Sequence, residues 1–101
     1  MELKRVVVTG LGAVTPVGNT PEETWANLLA GKSGAAPITH FDATNFKTKF
    51  ACEVKNLNVT DYIDRKEARK MDRYTQLAII AAMQGIKDSA LDLEKEDRNR
   101  I

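Results

Sequence analysis

Seven consecutive apolar residues, Leu77-Ala78-Ile79-Ile80-Ala81-Ala82-Met83, lie inside a proline-free segment of strong helix formers running from Arg73 to about Ser89. Wound as a helix, such a run is apolar on every side, and a helix of that kind must be covered on every side. Ala78, Ala81, Ala82 and Gly85 are small enough to let neighbouring backbones come close. Yet the remaining residues supply only one other convincing helix and two short strands. The expectation is therefore a layered structure larger than these 101 residues, cut off before the fold is complete.

The rest of the chain divides by its punctuation. Lys4–Thr9, with three valines in a row, reads as a buried strand. Gly10–Asn19 is a glycine-punctuated loop, with extended structure resuming at Ala13–Val14 as one option. Thr20, Pro21 and Glu23 form a capping signature for a helix to about Ala30, stopped at Gly31, with Trp25, Leu28 and Leu29 as its apolar face. Between Lys32 and Lys47 the pattern is an irregular connection. Phe50, Cys52 and Val54 then alternate with polar neighbours as a half-buried or edge strand. Asp64 followed by Glu67 starts a short basic helix around Arg65–Met71, and Asp72 is placed to cap the long apolar helix. Asp92–Arg100 reads as a surface connection, and Ile101 as a possible strand start.

A formal net charge of +1 provides no global field for nucleic acid or an anionic membrane, so any electrostatic partner must meet a local patch. Cys52 is the single cysteine; it can form no intramolecular disulfide and has no cluster around it to hold a metal. Neither a signal-peptide core nor a run of apolar residues long enough to span a bilayer is present. The expectation is a soluble, cytoplasmic protein.

In order along the chain, the segments Arg5-Val6-Val7-Val8-Thr9-Gly10-Leu11-Gly12, Thr15-Pro16-Val17-Gly18-Asn19, Trp25–Gly34, His40-Phe41-Asp42, Lys49-Phe50-Ala51 and Arg65–Asp72 resemble the β-ketoacyl-acyl-carrier-protein synthase II family. The resemblance covers the whole chain. It implies the amino-terminal part of a thiolase-like α/β/α/β/α layered fold, with residues 1–101 an incomplete portion of the synthase domain. It also implies an acyltransferase of fatty-acid elongation, in which an acyl-cysteine condenses with a carbanion from decarboxylated malonyl-carrier. The family's nucleophilic cysteine and its two histidines have no counterpart here, so no catalytic residue is assigned and the isolated segment is expected to be inactive. No cofactor and no metal are expected. The implied partners are an acyl carrier protein and a second copy in a homodimer.

Lys66, Arg69 and Lys70 match the family's basic carrier-docking positions. On a continuous helix they and Arg73 fall at i, i+3, i+4 and i+7, a positive stripe diluted by Asp64, Glu67 and Asp72. A plainly solvated face is the competing reading, and Arg65 and Arg73 match less well. Cys52, beside Glu53 in a strand, reads as a packing residue, and His40, in a turn-rich loop, as structural or solvent-facing.

Three rival functions remain in view. Gly10 and Gly12 after a strand suggest dinucleotide binding, but Thr15 replaces the third glycine and the first helix starts too late to meet a pyrophosphate. A basic-helix protein- or nucleic-acid-binding module lacks a companion recognition element. A polyketide-type ketosynthase differs in acyl-pocket residues expected beyond Ile101.

Overall fold

Thr20 caps the first helix as its place before Pro21 predicts: in extended conformation, its hydroxyl accepts from the Glu23 amide at 3.1 Å. This helix, α1, covers Pro21–Leu29 and ends at Ala30, followed by Gly31 in the left-handed region at φ +70°. Glu23 reaches back one residue further than a capping box requires, its carboxylate accepting from the Asn19 amide at 3.4 Å. In the computed structural model, which describes residues 1–101, β1 (Ala36–Pro37) and β2 (Phe50–Ala51) then pair antiparallel, Ala36 opposite Ala51 and Pro37 opposite Phe50. A 3-10 turn at Val59–Asp61 leads into the single-turn helix α2, Arg65–Ala68. The long helix α3, Arg73–Ser89, matches its predicted bounds and closes on Ala90 in the left-handed conformation.

α3 organises the rest through two adjacent stripes. Gln76, Ile80, Gln84 and Asp88 recur every four residues and so share one face. Ile80 is completely buried, with Ile63 and Ala68 forming the core around it and Val14, Leu57, Val59, Tyr62, Met71 and Ile79 half-buried at its margin. Gln84 and Asp88 hold the backbone of the glycine loop: the Leu11 amide donates to Asp88 Oδ2 at 2.9 Å, the Ala13 amide donates to Gln84 Oε1 at 3.0 Å, and Gln84 Nε2 donates to the Asn19 carbonyl at 2.6 Å. Ala81, Gly85 and Ser89 make the second stripe. Gly10 and Gly12 lie so close to its backbone that a Cβ on either would collide with it. The close approach rests on Gly10 and Gly12 in the loop; at Gly85 a Cβ would meet nothing nearer than 3.5 Å, so its expected small-residue role is not what admits the loop.

Several expectations change. Lys4–Thr9 belongs to no strand, with Val6 89% and Val8 80% exposed, because no other strand of these residues pairs with it. α1 turns its apolar face outward. Its attachment is polar: Thr24 Oγ1 meets Thr15 Oγ1 at 3.0 Å and donates to the Gly18 carbonyl at 3.3 Å, and Asn27 Nδ2 donates to the Val17 carbonyl. The helix meets the Thr15–Gly18 turn through these hydrogen bonds, and Trp25, Leu28 and Leu29 remain exposed. The alternation around Phe50 is inverted, with Phe50 and Cys52 exposed and Ala51 and Glu53 half-buried. α3 itself is buried only along its inner face; Tyr74, Ala78, Ala82, Met83 and Ile86 face outward. Ile101 belongs to no strand.

Only four residues are buried, and the radius of gyration is 17.5 Å with extents of 56 × 36 × 26 Å. A compact domain of this length has a radius near 13 Å. The apolar faces of α1 and α3 and the valines of the first segment therefore form an open frame.

Candidate functional site

The predicted basic residues occupy a tight turn held against α3. Asp64 caps α2, accepting from the Lys66 amide at 3.1 Å, and the Arg69 amide closes on the Arg65 carbonyl at 3.2 Å. The Lys70 and Met71 amides then bond three residues back, to the Glu67 and Ala68 carbonyls, both at 3.1 Å, which ends the helix. Ala68 faces inward against the core, so Arg65, Lys66, Arg69 and Lys70 face solvent.

Lys66, Arg69 and Lys70 therefore share one short exposed turn. They do not share a continuous helical stripe with Arg73, because the chain leaves the helix after Ala68 and re-enters at Arg73. Asp72 occupies the expected cap position without a side-chain cap bond. Glu67, expected in a capping box, instead approaches Lys70 Nζ at 3.4 Å, with both side chains exposed. Such a pair stabilises by only about 0.3–0.5 kcal/mol, so the Lys70 charge remains available. No carboxylate pairs with Arg65, Lys66, Arg69 or Arg73. Five cations against three carboxylates over residues 64–73 leave a local excess of two positive charges on a nearly neutral chain.

Cys52 and His40 are not brought together for catalysis. The thiol is exposed, so the expected packing role is not what the structure gives it. His40, 60% exposed, places Nε2 3.1 Å from Glu53, whose side chain is 12% exposed. Glu53 also accepts from the Thr39 amide at 3.0 Å, the Thr39 hydroxyl at 3.1 Å and the His40 amide at 3.3 Å. Desolvation is the largest single influence on this carboxyl and pushes its pKa up, but the donors from Thr39 and His40 together hold it below its usual value. No cluster of three His, Cys, Asp or Glu side chains is placed to hold a metal ion.

The dinucleotide reading fails on geometry, since the space a pyrophosphate would need beside Gly10 and Gly12 is filled by the backbone of α3. Beyond the loop, an open groove is lined by Leu11, Glu22, Asp61, Tyr62, Met83 and Lys87 among others. No helix is long and apolar enough to cross a membrane.

Sequence reasoning missed Gln76, Gln84, Asp88 and Lys55. Lys55 Nζ donates to the carbonyls of Gly34 at 2.7 Å, Glu53 at 2.9 Å and Pro16 at 3.4 Å, joining three segments through one ammonium. The four-residue spacing of Gln76, Gln84 and Asp88 was the available signal, but hydrophobic periodicity does not register polar side chains.

The fold is similar to that of a solved structure, the ishigamide ketosynthase/chain length factor. The two superpose with a TM-score of 0.79 and 38% identity over 87% of this chain and 22% of that one. The fold is accordingly α/β, of the thiolase-like ketosynthase class, with its amino-terminal part represented here. Residues 3–101 match the beta-ketoacyl synthase N-terminal domain, and the chain belongs to that family. It is 50% identical over 101 residues to 3-oxoacyl-[acyl-carrier-protein] synthase 2 of Vibrio harveyi, covering all of this chain and 24% of the relative. Against the same-named protein of Staphylococcus aureus (strain COL) it is 48% identical over 98 residues, 97% of this chain and 24% of the relative. The chain thus spans about a quarter of the length of these relatives.

Proposed function

We propose that residues 1–101 are the amino-terminal portion of a condensing enzyme that elongates acyl chains carried on acyl carrier protein. In this reading an acyl group passes from its carrier to a cysteine thiolate. Malonyl-carrier then loses carbon dioxide, and its C2 carbanion attacks the acyl carbonyl carbon, releasing the thiolate and giving 3-oxoacyl-carrier. The nucleophile and the histidines that polarise the malonyl carbonyl lie outside these residues, so residues 1–101 alone have no condensing activity. The observation that carries the reading is the family match over residues 3–101.

The contribution of this segment is scaffold and docking. Lys66, Arg69 and Lys70 meet the acidic carrier protein, raising the rate of encounter more than the final affinity. The enzyme acts as a cytoplasmic homodimer and takes neither a metal nor a redox cofactor for this chemistry. A polyketide-type ketosynthase is the second reading, supported by the likeness to the ishigamide protein. The higher identity to the 3-oxoacyl synthases favours fatty-acid elongation.

The test is a condensation assay with acyl- and malonyl-carrier substrates, comparing the active synthase with a triple alanine variant at Lys66, Arg69 and Lys70. At low salt the variant is expected to show a KM for carrier-borne substrate raised about tenfold, with the difference shrinking as ionic strength rises. An unchanged KM at low salt rules out docking through these residues.

A further inference from the structure

The side-chain amide of Gln76 donates to the Ala68 carbonyl at 2.9 Å in a half-buried setting. That carbonyl lies at the end of α2, where helix geometry leaves carbonyls in need of donors, and it also accepts from the Met71 amide. A helix of four residues has no independent stability, so the direction in which α2 presents its charges is set by what it is fastened to.

It is fastened to α3 at two points one helical turn apart. Ala68 packs in the core with Ile80, and four residues earlier on the same face Gln76 grips the Ala68 carbonyl. Apolar contact is non-directional, whereas a hydrogen bond has a preferred angle. The burial of Ala68, with Ile63 and Met71 packed on either side of the turn, sets where it sits; the Gln76 bond adds a directional hold on its rotation.

We propose that Gln76 is a positioning residue for the carrier-docking surface, holding the Arg65–Lys70 turn so that Lys66, Arg69 and Lys70 face the incoming carrier together. This inference rests on the docking reading above. Gln76 is turned inward to Ala68 and acts through the turn it orients.

Gln76→Met keeps the length and helical tendency of the side chain but removes the donor; Gln76→Ala leaves room for water at the freed carbonyl and serves if the first variant folds poorly. Each is assayed in the active synthase with acyl groups on carrier protein and on coenzyme A, a carrier-free thioester. The expected result is a KM for carrier-borne substrate raised about fivefold, the factor set by losing one ordinary hydrogen bond, with kcat and the carrier-free KM unchanged. Combined with alanine at Lys66, Arg69 and Lys70, Gln76→Met is expected to add little further.

Equal losses on both substrates would assign Gln76 a folding role and overturn the proposal. So would a carrier KM that stays at the wild-type value, or a fivefold effect that persists in full on the charge-depleted background. If the triple alanine variant raises the carrier KM while Gln76→Met does not, positioning fails and docking stands. If the triple variant also leaves it unchanged, both fail.

Discussion

Gly12 sits against Ala81 so closely that a Cβ on Gly12 would overlap the Ala81 carbonyl oxygen and crowd the Gly85 amide at 2.7 Å. Backbone atoms of a helix cannot move aside as a flexible side chain can. Gly12→Ala is therefore expected to destabilise the synthase by about 1–3 kcal/mol, the range for inserting a methyl into a filled space. Gly85→Ala is the informative contrast. A Cβ there meets nothing nearer than 3.5 Å, so the gain in helix propensity of about 0.5–1 kcal/mol is kept. Thermal unfolding should shift in opposite directions for the two variants.

Gln84 joins two points of the same loop, accepting from the Ala13 amide and donating to the Asn19 carbonyl. Gln84→Met retains bulk but strands both half-buried groups, at an expected cost of about 1–3 kcal/mol. Faster hydrogen exchange at Ala13 would localise the loss, whereas unchanged protection there would show that the amide does not depend on Gln84.

Glu53 should leave a signature in acid. Its folded pKa is lowered, so the stability contributed by the carboxylate is complete above the ordinary glutamate range and is lost as pH falls through that range towards the lowered folded value. Glu53→Gln is expected to be less stable than the parent near neutrality, with the gap closing below about pH 4. Melting temperatures recorded from pH 3 to about pH 7 check the sign; a gap that widens on acidification contradicts it.

Ala90 ends α3 at φ 56°, where a Cβ is crowded and glycine is not. Ala90→Gly is expected to stabilise by about 1 kcal/mol, read as a higher unfolding temperature.

Local chemistry was legible wherever one residue decides one conformation. Thr20 before Pro21 set the start of α1, Gly31 its stop, and the proline-free stretch from Arg73 the length of α3. The direction in which faces point was not legible. Trp25, Leu28 and Leu29 have the spacing of an inward face, but inwardness depends on what lies opposite, and here it is Thr24 and Asn27 that bond to the Thr15–Gly18 turn. Lys4–Thr9 has strand composition without a strand beside it, and pairing is a property of two segments. At the basic turn the residue types were correctly placed on the surface, but the break after Ala68 was hidden because Arg69, Lys70 and Met71 are all good helix formers. The grip of Gln76 on Ala68 was hidden for the related reason that a glutamine on a helix looks the same in sequence whether it binds water or a carbonyl.

The clasp between α3 and the glycine loop has a consequence in time. The bonds from Leu11 to Asp88 and from Ala13 to Gln84 span 77 and 71 residues. At about 5–20 residues per second, ribosomal synthesis leaves the first valines waiting on the order of several seconds before the helix that holds their neighbours emerges. Closing so long a loop also delays the contact relative to helix formation within α3. Through that interval the glycine loop has no anchor and gains one only when Asp88 emerges, while Val6-Val7-Val8, exposed even after that, stays an apolar, β-prone triplet throughout.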